Sequence, residues 1–191
     1  MGNHFFAYIS RMRCVKRWAL MRNTEEENIS EHSHMVAVLA HALAVIENRV
    51  YGGSVDADRA AVVALYHDAT EILTGDMPTP IKYYNPDIRD AYRKVERVAE
   101  EKLLSMLPHD IRQEYVPVLQ NRDDAVRTIV KAADKLSAYI KCVEELKAGN
   151  QEFKRAAEQT RAALEAMHLP ALDYFLLNCM DSFSKTLDEL D

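Results

Sequence analysis

Apolar residues along the chain recur with the period of a helix, not of a strand. Met35, Leu39, Ala42 and Ile46 stand at i, i+4, i+7 and i+11, one stripe of an amphipathic helix. Ser30 is placed to cap that helix, which the pattern carries to about Asn48. Gly52-Gly53 interrupts it. Asp56 or Val55 opens a second helix through about Leu73, where Gly75, Pro78 and Pro80 stop it. A third fits residues 87–106. Pro108 opens a short one, and Asp123 caps a long one to about Ala148, with Gly149-Asn150 as its end signal. Helices over 151–167 and 171–189 complete the pattern. The expectation is one all-α domain over residues 1–191. Its unequal helices and the long, Pro-rich segment 74–86 set it apart from a simple up-and-down bundle.

Composition narrows the picture. With 191 residues the chain suits one domain of ordinary size. Five glycines and six prolines are too few for the turns of an all-β protein of this length. Hydrophobic residues at 48% and charged residues at 28% exclude a disordered chain. A net charge of −6 argues against a nucleic-acid coat, yet leaves room for a small anion held by local cations. The apolar runs Ala60–Tyr66 and Met35–Ala40 are far shorter than the ~20 residues that span a bilayer. Met1 to Cys14 is interrupted by His4, Ser10, Arg11 and Arg13 and reads as no signal peptide. Cys14, Cys142 and Cys179 are odd in number, far apart and without a CxxC, which fits a reducing cytoplasm. Glycine-rich phosphate loops, a GxSxG elbow and HExxH are all missing.

The chemistry gathers on four segments. An adjacent His67-Asp68 ends a strongly apolar run, where a charge is tolerated only when paired or metal-bound. On a helix the two side chains point ~100° apart and straddle one ion, with Glu71 rising on the same face. The alternative is a solvated acidic helix end. His32 falls on the inward stripe of Met35, Val36, Leu39 and Leu43. His34 and His41 share another stripe, with Ala37, Val38 and Val45, as packed or hydrogen-bonded histidines. His4, His109 and His168 read as surface or filler. Asp134 has Val130, Ser137 and Ala138 for helical neighbours, so it needs a partner: a metal, or Lys131 or Lys135 in a helix-face ion pair.

The order His32, His67-Asp68, Asp134 resembles the HD-domain superfamily of metal-dependent phosphohydrolases, an all-helical group. The flanking segments are more specific. His4-Phe-Phe-Ala-Tyr-Ile-Ser-Arg11, Lys16-Arg17-Trp18-Ala-Leu-Met-Arg22, Ser30-Glu-His32-Ser, Tyr66-His-Asp-Ala-Thr-Glu-Ile-Leu-Thr-Gly-Asp76-Met-Pro-Thr79-Pro and Ala138-Tyr-Ile-Lys-Cys-Val-Glu-Glu-Leu are similar to the bacterial 5′-deoxynucleotidase branch. The resemblance covers essentially the whole chain and is looser at 108–123 and after 150. It implies metal ligation by His32, His67, Asp68 and Asp134, three of which (His32, Asp68, Asp134) also meet substrate. It implies that Arg17 and Trp18 orient phosphate and close on the sugar, that Glu71 is the catalytic carboxylate, and that Asp76, Met77, Pro78 and Thr79 form a substrate loop. A homodimer is implied in the same way.

Such a site has chemistry of its own. Two imidazoles and two carboxylates leave positions on an octahedral ion for water and a phosphate oxygen. Cobalt, manganese, zinc, copper and iron all accept these donors. The expected activity is hydrolysis of 2′-deoxyribonucleoside 5′-monophosphates to deoxynucleoside and phosphate. Its rivals are an HD hydrolase of a di- or triphosphate or cyclic nucleotide, and a non-catalytic helical signalling module with a relic metal site. Arg17 has a second reading as one of a basic surface cluster with Arg11, Arg13 and Lys16, and Trp18 has one as a core anchor.

Overall fold

The computed structural model describes residues 2–78, 81 and 84–190. Nine α-helices are described in chain order. They are α1 (Phe5–Ile9), α2 (Ile29–Val50), α3 (Ala57–Leu65), α4 (Glu71–Thr74) and α5 (Pro86–Ser105), then α6 (His109–Leu119), α7 (Asp124–Lys147), α8 (Lys154–Glu165) and α9 (Pro170–Asn178). No strand occurs among the described residues, which bears out the all-α expectation.

The centre is α2, sandwiched by α3 and α7. Leu39 and Leu43 of α2, Val63 of α3, and Ile129 and Leu136 of α7 are buried together. Alanines at 40, 44, 60, 64, 132 and 133 line the same interfaces with essentially no exposed surface. Their small side chains let the three backbones approach, which brings the functional groups of each within reach of the others. A second cluster joins Phe5, Ala69, Leu103, Leu104 and Leu107. A third is built on Cys142, Phe153 and Ala157, with Trp18 and Met21 packed against it. By length and composition α2 is apolar enough to cross a membrane, but half of it is buried inside the protein and its stripe carries a fully buried histidine.

Several expected boundaries move, each for a local reason. Asn28, not Ser30, caps α2: its side chain accepts from the amides of Ser30 and Glu31, and Glu31 reaches back to complete a capping box. The second helix opens at Asp56 as expected but stops at Leu65, not Leu73. Residues 66–70 form a turn before α4. Packing overrides helix propensity there. Tyr66 lies against Phe5 and Tyr115, and Ala69 is sealed in the second cluster. Asp123 and Gly149 bound α7 as the pattern indicated, and Gly149 adopts a left-handed φ of 88°. The helix expected over 151–167 starts as a 3₁₀ turn, Gln151–Phe153, which drops Phe153 into the third cluster. The one expected over 171–189 ends at Asn178 and continues as the 3₁₀ turns Met180–Ser184 and Leu187–Glu189.

Candidate active site

Three elements converge on one point. His32 comes from the first turn of α2, His67 and Asp68 from the turn after α3, and Asp134 from the middle of α7. His32 Nε2 lies 3.1 Å from Asp134 Oδ1 and 3.6 Å from Asp68 Oδ2. His67 Nε2 lies 3.2 Å from Asp68 Oδ2 and 3.9 Å from Asp134 Oδ1. The donor atoms of His32, His67 and Asp68 all fall within 4.8 Å of one another. Asp134 therefore pairs with the histidines, not with Lys131 or Lys135. The cluster is graded in depth: the His32 side chain is 0% exposed and that of Asp134 42% exposed, so approach is from the Asp134 side.

The ring orientations follow from the atoms behind them. His67 Nδ1 stands 2.7 Å from Ala64 O, a carbonyl at the end of α3. The carbonyl only accepts, so Nδ1 carries a proton, and Nε2 is the nitrogen turned to the cluster, able to ligate once its own proton is displaced. His32 Nδ1 stands 3.2 Å from Ser137 Oγ, one turn beyond Asp134. His67 Nε2 is buried without a hydrogen-bond partner among the described residues. A buried ring nitrogen without a hydrogen-bond partner, beside two carboxylates, is the arrangement that a proton or a cation between them satisfies. Two imidazole nitrogens and two carboxylate oxygens suit a divalent transition ion, so the residues fit the metal that the resemblance implies.

Electrostatics agree. Burial alone pushes His67 down, but Asp68, reinforced by Asp134, overrides it and holds the imidazole up at about 9. Asp68, against its burial, is held far below the carboxylate range by His67, His32 and Arg17. Asp134 is likewise lowered against its burial, chiefly by His32 and His67. The cluster thus holds a proton where an ion would place two charges.

Arg17 is not part of a basic surface cluster. Its side chain is 13% exposed, Nε donates to Glu27 Oε2 at 3.0 Å, and Nη1 reaches Asp68 Oδ2 at 3.4 Å. Arg11, Arg13 and Lys16 keep the surface role, and Lys16 pairs with Glu26. The half-buried Trp18 packs at 5.3 Å on Phe153 and donates from Nε1 to Glu27 Oε2 at 3.0 Å. It is therefore anchored to a core cluster, with its polar edge turned to the Arg17 partner. Glu71 is half-buried at the start of α4. Its Oε2 has no hydrogen-bond partner among the described residues, and burial, with Asp68 and Asp76 nearby, pushes the carboxyl up to about 9. Asp76 acts on both Glu71 and Arg17. Met77 and Pro78 follow it, half-buried, and Thr79 lies outside the described residues.

A cavity of about 210 Å³ opens beside His67 and Asp134. Val63, Val118, Leu119 and Val130 wall it, with Asn121, Arg127 and Lys131 as its polar lining. Sequence reasoning passed over this lining, and it passed over Glu27 and Ser137. For Ser137 a signal existed, since it stands one turn from Asp134. For Glu27 none did, because its partners are ten and nine residues away across a loop. His34 and His41, expected to be packed or hydrogen-bonded, are exposed, and so are His4, His109 and His168.

A helical sandwich with a His, His-Asp, Asp cluster at its centre defines the HD-domain phosphohydrolase fold. One such protein from Listeria innocua superposes with a TM-score of 0.82 at 24% identity, covering 96% of this chain and 90% of its own. The cyanophage S-2L HD phosphohydrolase DatZ, solved with dA and one catalytic Zn²⁺, gives 0.64 at 21%, covering 94% and 96%. Within that fold the assignment is narrower. The 5′-deoxynucleotidase YfbR-like family model matches residues 4–183, and the chain belongs to that family. A 5′-deoxynucleotidase of Photobacterium profundum is 50% identical over 192 residues, 98% of each chain. The 5′-deoxynucleotidase YfbR of Escherichia coli is 48% identical over 190 residues, 98% of this chain and 96% of its own.

Proposed function

We infer that the chain is a metal-dependent 5′-deoxynucleotidase, releasing phosphate from 2′-deoxyribonucleoside 5′-monophosphates. The observation that carries the reading is the buried, partnerless His67 Nε2 facing two carboxylates and a second imidazole, with Arg17 alongside. His32, His67, Asp68 and Asp134 hold the ion. When bound, a divalent ion in such a set acidifies water and offsets phosphate charge.

The protein's own groups do the rest. A guanidinium has five N–H donors. Arg17 commits Nε to Glu27 and one Nη1 hydrogen to Asp68, which leaves Nη2 for a phosphate oxygen. Glu71, with its proton retained on a buried carboxyl at neutral pH, is placed to give that proton to the departing 5′-oxygen and to recover one from water. The half-buried indole of Trp18 offers a rigid wall without an acceptor, which disfavours a 2′-hydroxyl. Asp76, Met77 and Pro78 border the sugar, and His32, Asp68 and Asp134 meet the phosphate side.

Finer features belong to the same reading. The ion is one of cobalt, manganese, zinc or copper. One HD domain spans residues 1–191. The setting is cytoplasmic, supported by three free cysteines. The enzyme is a homodimer, for which the exposed Val38 and Val45 on the outer stripe of α2 offer apolar surface. The test is phosphate release from deoxy- and ribonucleotides across a panel of divalent ions. Release from dAMP but not from dATP or AMP is expected. Turnover of dATP in preference to dAMP overturns the substrate assignment.

A further inference from the structure

We propose that Glu27 is the positioning residue of the active site: one carboxylate that holds the phosphate-binding guanidinium and the indole in register. The phosphate part of this rests on the function inferred above.

Glu27 lies in the loop before α2, 15% exposed in its side chain. Oε2 accepts from Arg17 Nε and from Trp18 Nε1, both at 3.0 Å. Oε1 stands 3.8 Å from His32 Nδ1, beyond hydrogen-bond reach, and that nitrogen meets Ser137 Oγ instead. Oε2 thus ties together the two side chains assigned to phosphate and sugar. A carboxylate on Nε of an arginine fixes the plane of the fork, because guanidinium and acceptor must be nearly coplanar.

The backbone adds a second hold. Arg17 N donates to Glu27 O at 2.9 Å, and Lys16 pairs with Asn28 in an antiparallel bridge, with Ile29 N on Val15 O. Trp18 follows at once with φ 57°. A bulky residue in the left-handed region persists only where its surroundings over-determine it. Here its neighbour is clamped by the main chain of Glu27 and its ring by the side chain of Glu27. A surface ion pair would do none of this. Lys16 and Glu26, one residue away on each side and mostly exposed, are such a pair and touch nothing in the site.

The test combines two readouts. Trp18 is the sole tryptophan, so its emission and acrylamide quenching report the indole without any substrate. Glu27→Ala should expose the ring to quencher, Glu27→Gln should do so less, and Glu26→Ala should leave it as in wild type. On dAMP, with bound metal measured alongside, Glu27→Ala should raise KM about tenfold, the scale of one charged hydrogen bond, with kcat nearly kept. In an Arg17→Ala background the same substitution should change KM less than about twofold, since its partner is already gone. Additive losses in the two backgrounds, metal lost in step with activity, or unchanged indole quenching in Glu27→Ala each overturn the proposal. Inactivity of the wild-type enzyme on dAMP overturns the substrate reading, and the quenching series still decides whether Glu27 holds the indole.

Discussion

Helix α7 carries two carboxylates eleven residues apart, about three turns, one buried and one at the open edge of a buried cluster, and they live differently. Glu145 is 2% exposed and its oxygens are filled. They accept from the amides of Thr24 and Glu25, from Asn150 Nδ2 and from Lys141 Nζ, which also donates to Glu25 O. Asp134 shares its surroundings with a second carboxylate, two imidazoles and a bare nitrogen. Both sites bury charge. The first is complete within the protein and ties the loop 22–27 to α7, whereas the second leaves His67 Nε2 without a hydrogen-bond partner among the described residues. Hydrogen-bond satisfaction, more than burial, separates a structural cluster from a functional one.

The largest effects should fall on opposite sides of this comparison. Ala at His67 or Asp68 should abolish bound metal and turnover while the fold persists. Glu145→Ala should instead destabilise by about 3–5 kcal/mol, the cost of orphaning a buried partner, with metal per folded molecule unchanged. Elemental analysis and thermal melting read both. Loss of metal from Glu145→Ala below its melting temperature would erase the distinction drawn above.

Next comes Glu71→Ala, expected to lower kcat by roughly 10²–10⁴ with metal retained. If the metal goes as well, Glu71 supports the ion and does not move a proton. Trp18→Ala should reduce the preference for dAMP over AMP, which a wall of this kind sets at about 10²-fold. An unchanged ratio of kcat/KM values would leave Trp18 as packing against Phe153 alone.

The smallest effect separates the clusters by pH. Glu145 is lowered to about 2 by its hydrogen bonds despite burial, so its contribution is present above the ordinary carboxylate pKa and fades as pH falls toward 2. His67, raised to about 9, contributes fully below ~6.5 and loses that contribution as pH rises through 9. Glu71, raised to about 9, adds its own loss of stability as pH rises above the ordinary carboxylate pKa. Chelated protein should therefore melt highest near about pH 4.5. Saturating zinc should shrink the alkaline decline and leave the acid one. An alkaline decline as steep with the ion as without it would mean His67 is not a ligand.

Much of this was legible in the sequence, unevenly. The long helices α2 and α7 could be read because apolar period and caps agreed there. The turn at 66–70 could not, because the residues that stop the second helix are Phe5 and Tyr115, more than forty positions away. The turn also shapes the site: regular helical geometry sets Glu71 on the face of His67, whereas in the turn Ala64 O accepts from both the amide and the ring Nδ1 of His67. Glu27 was invisible for the opposite reason. Acidic residues crowd 25–27, and only folding shows that Glu26 faces water and Glu27 faces Arg17.

The span of the His32–Asp134 contact has a consequence for how the molecule comes together. Those partners lie 102 residues apart, whereas His67 and Asp68 are neighbours. An unfolded chain already owns two of the four donors, and the others arrive only when distant loops close at an entropic cost. Metal capture is therefore a late event in assembly, a clock for the docking of α7 on α2. During refolding with cobalt, the visible absorbance of the ion should lag the circular dichroism of the helices.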